Sequence, residues 1–219
     1  MSIENEVKLD VNLLFEGPKI RIGNGISRIE YLPEKQTETI YFDLPNHELS
    51  AANLALRFRY LFTGGFDEGL SSEGEVAGEL PDGIWAVKSG GTVVHDDGVV
   101  AVARDELEAK GDYGTIPDQI IAQCPFLAGM RTNLKIIAAL KARRRTIKIY
   151  GYNGCLVAID DDIVEVTSGA KLGNRFREIE FELMSETGRS VRSKIVNDFL
   201  NAGAQYSRTG SKLERALGI

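Results

Sequence analysis

A chain of 219 residues with 43% hydrophobic content can bury the core of one sizeable domain, and its composition points to neither disorder nor a fibrous repeat. A formal charge of −6 argues against a general nucleic-acid coat, which is normally basic. Two cysteines, Cys124 and Cys155, make neither a disulfide framework nor a zinc pattern and read as small core residues of a reducing compartment. The opening Met1-Ser2-Ile3-Glu4-Asn5-Glu6 lacks the basic start and apolar block of a signal peptide. No apolar stretch approaches the ~20 residues that a membrane helix needs. The expectation is a soluble, cytoplasmic monomer or homodimer with no nucleic-acid or membrane partner.

Up to about residue 108 a period of two dominates, the mark of strands. Val7, Leu9 and Val11 alternate with Glu6, Lys8 and Asp10. Thr39 to Asp43 is a short β-branched and aromatic run stopped by Pro45, and Leu54 to Leu61 alternates again. The stretch Thr63 to Gly83 is rich in Gly, Glu, Asp and Ser and reads as a long solvated loop. Trp85 to Lys88 leads to Thr92-Val93-Val94, and Asp96-Asp97-Gly98 predicts a tight hairpin turn before Val99 to Arg104. Residues 115–142 change character: Pro117, Ile120, Ile121, Leu134, Ile136, Ile137 and Leu140 predict a helical insertion, split near Cys124-Pro125 and Gly129. Strands return at Arg144 to Tyr150, Cys155 to Asp160, Ile163 to Thr167 and Arg177 to Met184. The end, about 188–217, is a helical tail whose apolar face is Val191, Ile195, Val196, Phe199 and Leu200, stopped by Gly203. The layout predicts an α+β chain, a single domain over 1–219, built on a closed antiparallel β-barrel of about eight strands with flanking helices and a C-terminal helix.

Alternate residues of a strand share a face. Glu4, Glu6 and Lys8 therefore lie together, as do Arg57 and Arg59, then Arg104, Glu106 and Glu108, then Glu178, Glu180 and Glu182. On any one strand such a face is most simply wet. Four strands carrying little but Glu and Arg are different, because like charges two residues apart repel and something must offset them. A barrel with a charged interior and its apolar faces outward, covered by helices, solves this. Carboxylates hold hard divalent cations through oxygen, and Arg or Lys holds phosphate oxygens. One ligand satisfies both signs, a metal-bound polyphosphate.

These segments, in this order, resemble the CYTH superfamily, also called the triphosphate tunnel metalloenzymes, which includes inorganic triphosphatases, thiamine triphosphatases and class IV adenylate cyclases. The resemblance rests on Glu4-x-Glu6-x-Lys8, Tyr41-Phe42-Asp43-Leu44-Pro45, Leu54-Ala55-Leu56-Arg57-Phe58-Arg59, Trp85-Ala86-Val87-Lys88, Arg104-x-Glu106-x-Glu108, Arg144, Asp160, Glu178-x-Glu180-x-Glu182 and Ser211-Lys212. It spans nearly the whole chain. Two features depart from the pattern: the segment between Arg59 and Trp85 is longer than usual, and no clear helix separates the first strand from Tyr41. The resemblance implies metal-dependent hydrolysis of a triphosphate, with inorganic tripolyphosphate favoured over thiamine or nucleoside triphosphates. Lys8, Arg57, Arg59, Lys88, Arg104, Arg144 and Lys212 would grip the phosphates. Glu4, Glu6, Glu178 and Glu180 would bind Mg²⁺ or Mn²⁺, in two ions, with Asp160, Glu106 and Glu182 assisting; Glu4, Glu6 and Lys8 are the implied catalytic group. Within Arg143-Arg144-Arg145 the register is read as Arg144 inward, because it alternates with Thr146 and Lys148. His47 and His95 stand beside turns and read as surface residues. A class IV cyclase and a non-catalytic polyphosphate-binding module remain as alternatives.

Overall fold

A computed structural model describes residues 2–61, 82–124, 127, 133–208 and 210–219. Eleven strands form one antiparallel sheet: β1 Ser2–Val11, β2 Arg28–Tyr31, β3 Lys35–Asp43, β4 Leu54–Leu61, β5 Gly83–Ser89, β6 Thr92–Asp96, β7 Val99–Gly111, β8 Lys135–Gly151, β9 Gly154–Ser168, β10 Arg175–Leu183 and β11 Gln205–Tyr206. The path β1-β10-β9-β8-β3-β4-β5-β7 returns to β1, which pairs with both β10 and β7, so eight strands close a barrel. The remaining three are additions, β2 on β8, β6 on β7 and β11 on β1. The helices are α1 Glu48–Ala51, α2 Asp118–Gln123, α3 Arg189–Asn201 and α4 Lys212–Leu217.

The barrel turns its apolar faces outward, and the helices cover them. Val7, Leu9, Ile159, Ile179 and Phe181 pack on Val191, Ile195, Val196 and Phe199 of α3. Phe181 meets Phe199 edge-on, 5.1 Å between ring centroids, a favourable arrangement of aromatic quadrupoles. On the other side Ile40, Phe42, Leu56, Phe58, Trp85 and Val87 pack against Ile120 of α2, Cys124 and Leu127. The Trp85 indole N–H donates to the Asp112 carbonyl at 2.8 Å, so this large core side chain leaves no polar atom wanting. Helix α4 lies across one end of the barrel, where Leu213 and Ala216 meet Tyr41, Ala138, Leu140, Val164 and Val166.

Local chemistry sets the turns. Asp97 and Gly98 adopt positive φ of 48° and 81° in the β6–β7 hairpin, as the Asp-Gly pair predicts. Asp43 is fully buried and accepts hydrogen bonds from the backbone N–H groups of Leu44, Leu49 and Ser50 and from the Ser50 hydroxyl. The Asp43 of the Tyr41–Pro45 motif therefore builds the turn into α1. Ser211 and Glu214 form a reciprocal capping box at the start of α4, and Gly218 ends that helix at φ 76°.

Two expectations change. The helical insertion over 115–142 reduces, among the described residues, to α2 and an isolated turn, and residues 135–142 begin β8. Ile137 and Leu140 pack into one cluster there as strand residues, because a register shift between Ala139 and Leu140 interrupts the period of two. The break expected between Asp160 and Ile163 does not exist, because β9 runs unbroken through the three aspartates. Most of the expected loop Thr63 to Gly83, together with Pro125 and Gly129, falls outside the described residues. The helical tail is found as α3 and α4.

Outside the barrel, a second charged cluster ties α3 to the β6–β7 hairpin. Arg192 is fully buried, donates to the Asn5 carbonyl and side chain at 3.0 and 2.8 Å, and pairs with Asp96, which Arg189 also holds. A buried cation deprived of its counter-charge costs several kcal/mol. Asp96→Asn, which keeps the shape and removes the charge, is expected to lower the unfolding free energy by about 3 kcal/mol. Urea titration measures it; a loss under about 1 kcal/mol would show that Asn5 alone satisfies Arg192.

Candidate active site

The inward positions of the barrel strands converge on a cavity of about 550 Å³. β1 contributes Glu4, Glu6 and Lys8; β4 contributes Arg57 and Arg59; β5 Lys88; β7 Arg104, Glu106 and Glu108. β8 adds Arg144, β9 Asp160, β10 Glu180 and Glu182, and α4 with its cap adds Ser211 and Lys212. The register explains the convergence. Glu6 lies opposite Glu182, Lys8 opposite Glu180, Glu4 opposite Arg104, and Arg144 opposite Asp162.

The two signs interlock. Lys8 Nζ is 2.9 Å from Glu180 and 3.2 Å from Glu6. Lys88 bridges Glu4 at 2.8 Å and Glu106 at 3.0 Å, and Arg57 reaches Glu106 at 2.8 Å and Glu108 at 3.3 Å. Arg104 lies 3.2 Å from Glu6 and donates to the Gly210 carbonyl at 3.2 Å. Arg144 holds both oxygens of Asp162 at 2.8 and 2.6 Å and reaches Asp160 at 2.5 Å and Glu180 at 3.2 Å. Lys212 sits among Glu178, Glu180 and Asp162 at 2.5, 2.9 and 3.1 Å.

These contacts set the ionisation. Burial alone would push Glu180 upward, yet the charges of Lys212, Lys8 and Arg144 hold it well below the usual carboxylate range. Glu182 goes the other way: burial, then the charges of Glu4, Glu6 and Asp160, push it up to about 7. Arg59 stands apart. Its Nε donates to Thr39 Oγ1 at 3.0 Å, and it has no carboxylate partner among the described residues. Burial and the neighbouring charges of Arg57 and Arg144 bring its guanidinium down to about 10, so it remains a cation at neutral pH without a counter-ion.

Comparison with known proteins follows the same outline. No family model matches the chain. Two uncharacterized proteins of Mycobacterium tuberculosis, from strains CDC 1551 / Oshkosh and H37Rv, are each 28% identical over 232 residues, covering 99% of this chain. The chain spans 40% of the length of these curated relatives. Among solved structures, a candidate adenylyl cyclase from Hippeastrum reported to reveal a dominant triphosphatase activity superposes with a TM-score of 0.55. The match covers 95% of this chain and 92% of that one at 16% identity. The two proteins share a fold. The closed antiparallel barrel expected from the sequence is thus the fold of this chain.

Within that barrel, the structure brings together every expected site residue except Glu178. Glu178 does face inward, but α4 covers that end of β10, and the carboxylate is buried against Lys212 and Arg215 outside the cavity lining. It pairs there with Lys212 at 2.5 Å. Arg144 is the inward arginine of its triplet, while Arg143 and Arg145 lie beside Glu34. His47 and His95 are exposed, and among the described residues no helix is long and apolar enough to cross a membrane. Sequence reasoning placed Glu108 on the charged inner face without a role, and missed Tyr41 and Ser211 as lining residues and Asp162 as the fully buried partner of both Arg144 and Lys212. The alternation Asp160-x-Asp162 carries that last signal, hidden where one strand is ended at Asp160 and the next begun at Ile163.

The raised Glu182 carboxyl gives a pH test. A carboxyl whose folded value lies above its ordinary 4.5 binds more protons folded than unfolded between 4.5 and about 7. Its ionisation therefore costs stability progressively across that window, fully above 7. In metal-free buffer Glu182→Gln is expected to raise Tm at pH 8, with the gain shrinking towards pH 4.5. An equal gain at both ends would assign the effect to packing.

Proposed function

We propose that the chain is a metal-dependent triphosphate hydrolase of the CYTH type, with inorganic tripolyphosphate as its favoured substrate, releasing phosphate. The observation that carries this reading is Arg59, a cation without an acidic partner among the described residues, facing a cavity that six further cations also line: Lys8, Arg57, Lys88, Arg104, Arg144 and Lys212. A polyanion of high charge density is the ligand such a lining fits, and a planar guanidinium can take two phosphate oxygens at once.

The acidic half of the lining bears on the metal. Glu4, Glu6, Glu106, Asp160, Glu180 and Glu182 offer only oxygen, the donor that Mg²⁺ and Mn²⁺ prefer. Glu6 Oε1 is sealed from solvent and takes no well-directed hydrogen bond, though Lys8 and Arg104 are each 3.2 Å away. Glu182 is crowded by Glu4, Glu6 and Asp160, a repulsion that a divalent cation would offset. Among the described residues no three His, Cys, Asp or Glu side chains already converge as a cage; Glu4, Glu6, Glu106, Asp160 and Glu180 are each paired with a lysine or arginine instead. By donor chemistry the residues fit, and Glu4, Glu6 and Glu182, with Asp160 beside them, would hold the ion. A bound divalent cation supplies charge neutralisation at the phosphoryl group and a more acidic water.

The chain's own residues then act by exchange of partners. Phosphate oxygens replace carboxylates on Lys8, Arg57, Lys88 and Arg104, and the carboxylates so released would be free to hold a divalent cation. Arg59 gains the counter-charge it lacks. Arg144 stays fixed by Asp162 and presents its remaining edge, so one end of the anhydride is held still while water attacks in line. A hydrolase of this kind needs no side-chain nucleophile.

A panel of tripolyphosphate, thiamine triphosphate and ATP with Mg²⁺ or Mn²⁺, scored for phosphate, pyrophosphate and cyclic AMP, tests the reading. Phosphate release from tripolyphosphate is expected to lead; cyclic AMP from ATP would replace the hydrolase with a cyclase, and binding without turnover would make the chain a binding module. Glu6→Gln is expected to reduce phosphate release at least 100-fold while leaving Tm near that of the parent. Arg59→Ala is expected to weaken tripolyphosphate binding about tenfold or more, against little change for the outward Arg145→Ala; equal effects would remove Arg59 from the site.

A further inference from the structure

Of the cations that line the cavity, Lys8, Arg57, Lys88, Arg104, Arg144 and Lys212 each meet a carboxylate within 3.2 Å. Arg59 meets none among the described residues. The strand register shows why. Directly opposite Lys8 stands Glu180, opposite Lys88 stands Glu106, opposite Arg104 stands Glu4, and opposite Arg144 stands Asp162. The residues opposite Arg59 are Thr39 on β3 and Ile84 on β5, neither of which carries a charge. An aspartate in place of Thr39 would complete the pattern that the other strands follow. Thr39 is instead a neutral hydroxyl, 3% exposed, and its Oγ1 accepts from Arg59 Nε at 3.0 Å.

A guanidinium has its N–H donors in a rigid planar fork. With Nε taken by Thr39, the two terminal nitrogens of Arg59 make no hydrogen bond among the described residues. We propose that Thr39 is a positioning and specificity-determining residue for the polyphosphate, holding Arg59 by a neutral acceptor so that its terminal nitrogens face the cavity with their charge unspent; this rests on the triphosphate site described above. A carboxylate at position 39 would hold the guanidinium more firmly, through a charge-assisted bond, but would compete with phosphate for the same cation. The hydroxyl fixes the direction of a long side chain, so that less freedom is lost when the anion binds. The arrangement costs stability in the unliganded chain, because the charges of Arg57 and Arg144 act on Arg59 with no acid opposite to offset them. The anion relieves that repulsion, so the same unmatched charge that weakens the empty barrel strengthens binding.

Three variants of the full chain, Thr39→Ser, Thr39→Val and Thr39→Asp, test this by thermal melting without ligand, by calorimetry with tripolyphosphate in metal-free buffer, and by turnover with Mg²⁺. Thr39→Ser keeps the acceptor and is expected to bind within about twofold of the parent. Thr39→Val keeps the shape, loses the acceptor and should weaken binding about fivefold, the worth of one hydrogen bond. Its loss should appear in KM, with kcat within about threefold. Thr39→Asp should move the two readouts in opposite directions, raising Tm by a few degrees while weakening tripolyphosphate binding about 30-fold or more. A threonine that merely packs would shift melting and binding together. The proposal is overturned if Thr39→Val binds as the parent does, if Thr39→Asp binds within about twofold of the parent, or if Thr39→Asp loses stability and binding in parallel. Each of those results leaves the triphosphate site standing, since the parent's own binding of tripolyphosphate tests that separately; absence of binding by the parent removes both.

Discussion

Ion pairs across neighbouring strands are what allow this barrel to close. A sheet that turns its polar face inward must remove a dozen charged groups from bulk water, and an isolated buried ion costs several kcal/mol. Here each strand places its charges so that the adjacent strand answers them, Lys8 beside Glu180, Lys88 beside Glu106, Arg144 beside Asp162. Such pairing offsets the desolvation, and its weakness as a source of net stability is made good elsewhere. The free energy of the fold comes from the outer faces, where Phe181, Phe58 and Trp85 are buried under α3 and α2. The site and the core are thus two sides of the same strands, separated by a single peptide plane.

That division explains how the sequence could be read. Where one face of a strand is uniformly charged and the other uniformly apolar, the period of two survives, as in Glu4 to Lys8 or Glu178 to Glu182. Closure itself was inferred from the problem those charges pose. The reading failed where the period was broken by chemistry that only partners reveal. Asp160, Asp161 and Asp162 look like a break between strands until Arg144 on β8 and Arg177 on β10 are seen to hold them from opposite faces of β9. Residues 135–142 look helical because a register shift between Ala139 and Leu140 interrupts their alternation. Glu178 looked like its neighbours because alternation fixes direction but not depth, and depth was decided by a six-residue helix distant in sequence.

The same contacts give the lining a double role. In the unliganded chain the acids and bases neutralise one another and hold the strands in register. In the proposed function a metal-bound polyphosphate would offer each sign a stronger partner. Tyr41 and the Asp43 turn fix one wall, and the capping box at Ser211 holds Lys212 at the floor.

Strand β1 closes the barrel by inserting between β7 and β10, so residues 2–11 must find residues 175–183 across most of the chain. Contacts so distant in sequence form late and make folding slow. Slow closure of an ordinary barrel would leave an apolar interior open to other chains. In this one the interior of the unclosed sheet carries glutamates, arginines and lysines, which water solvates well. The lining that forms the cavity of the finished protein therefore also spares the chain an exposed apolar interior before the barrel is complete.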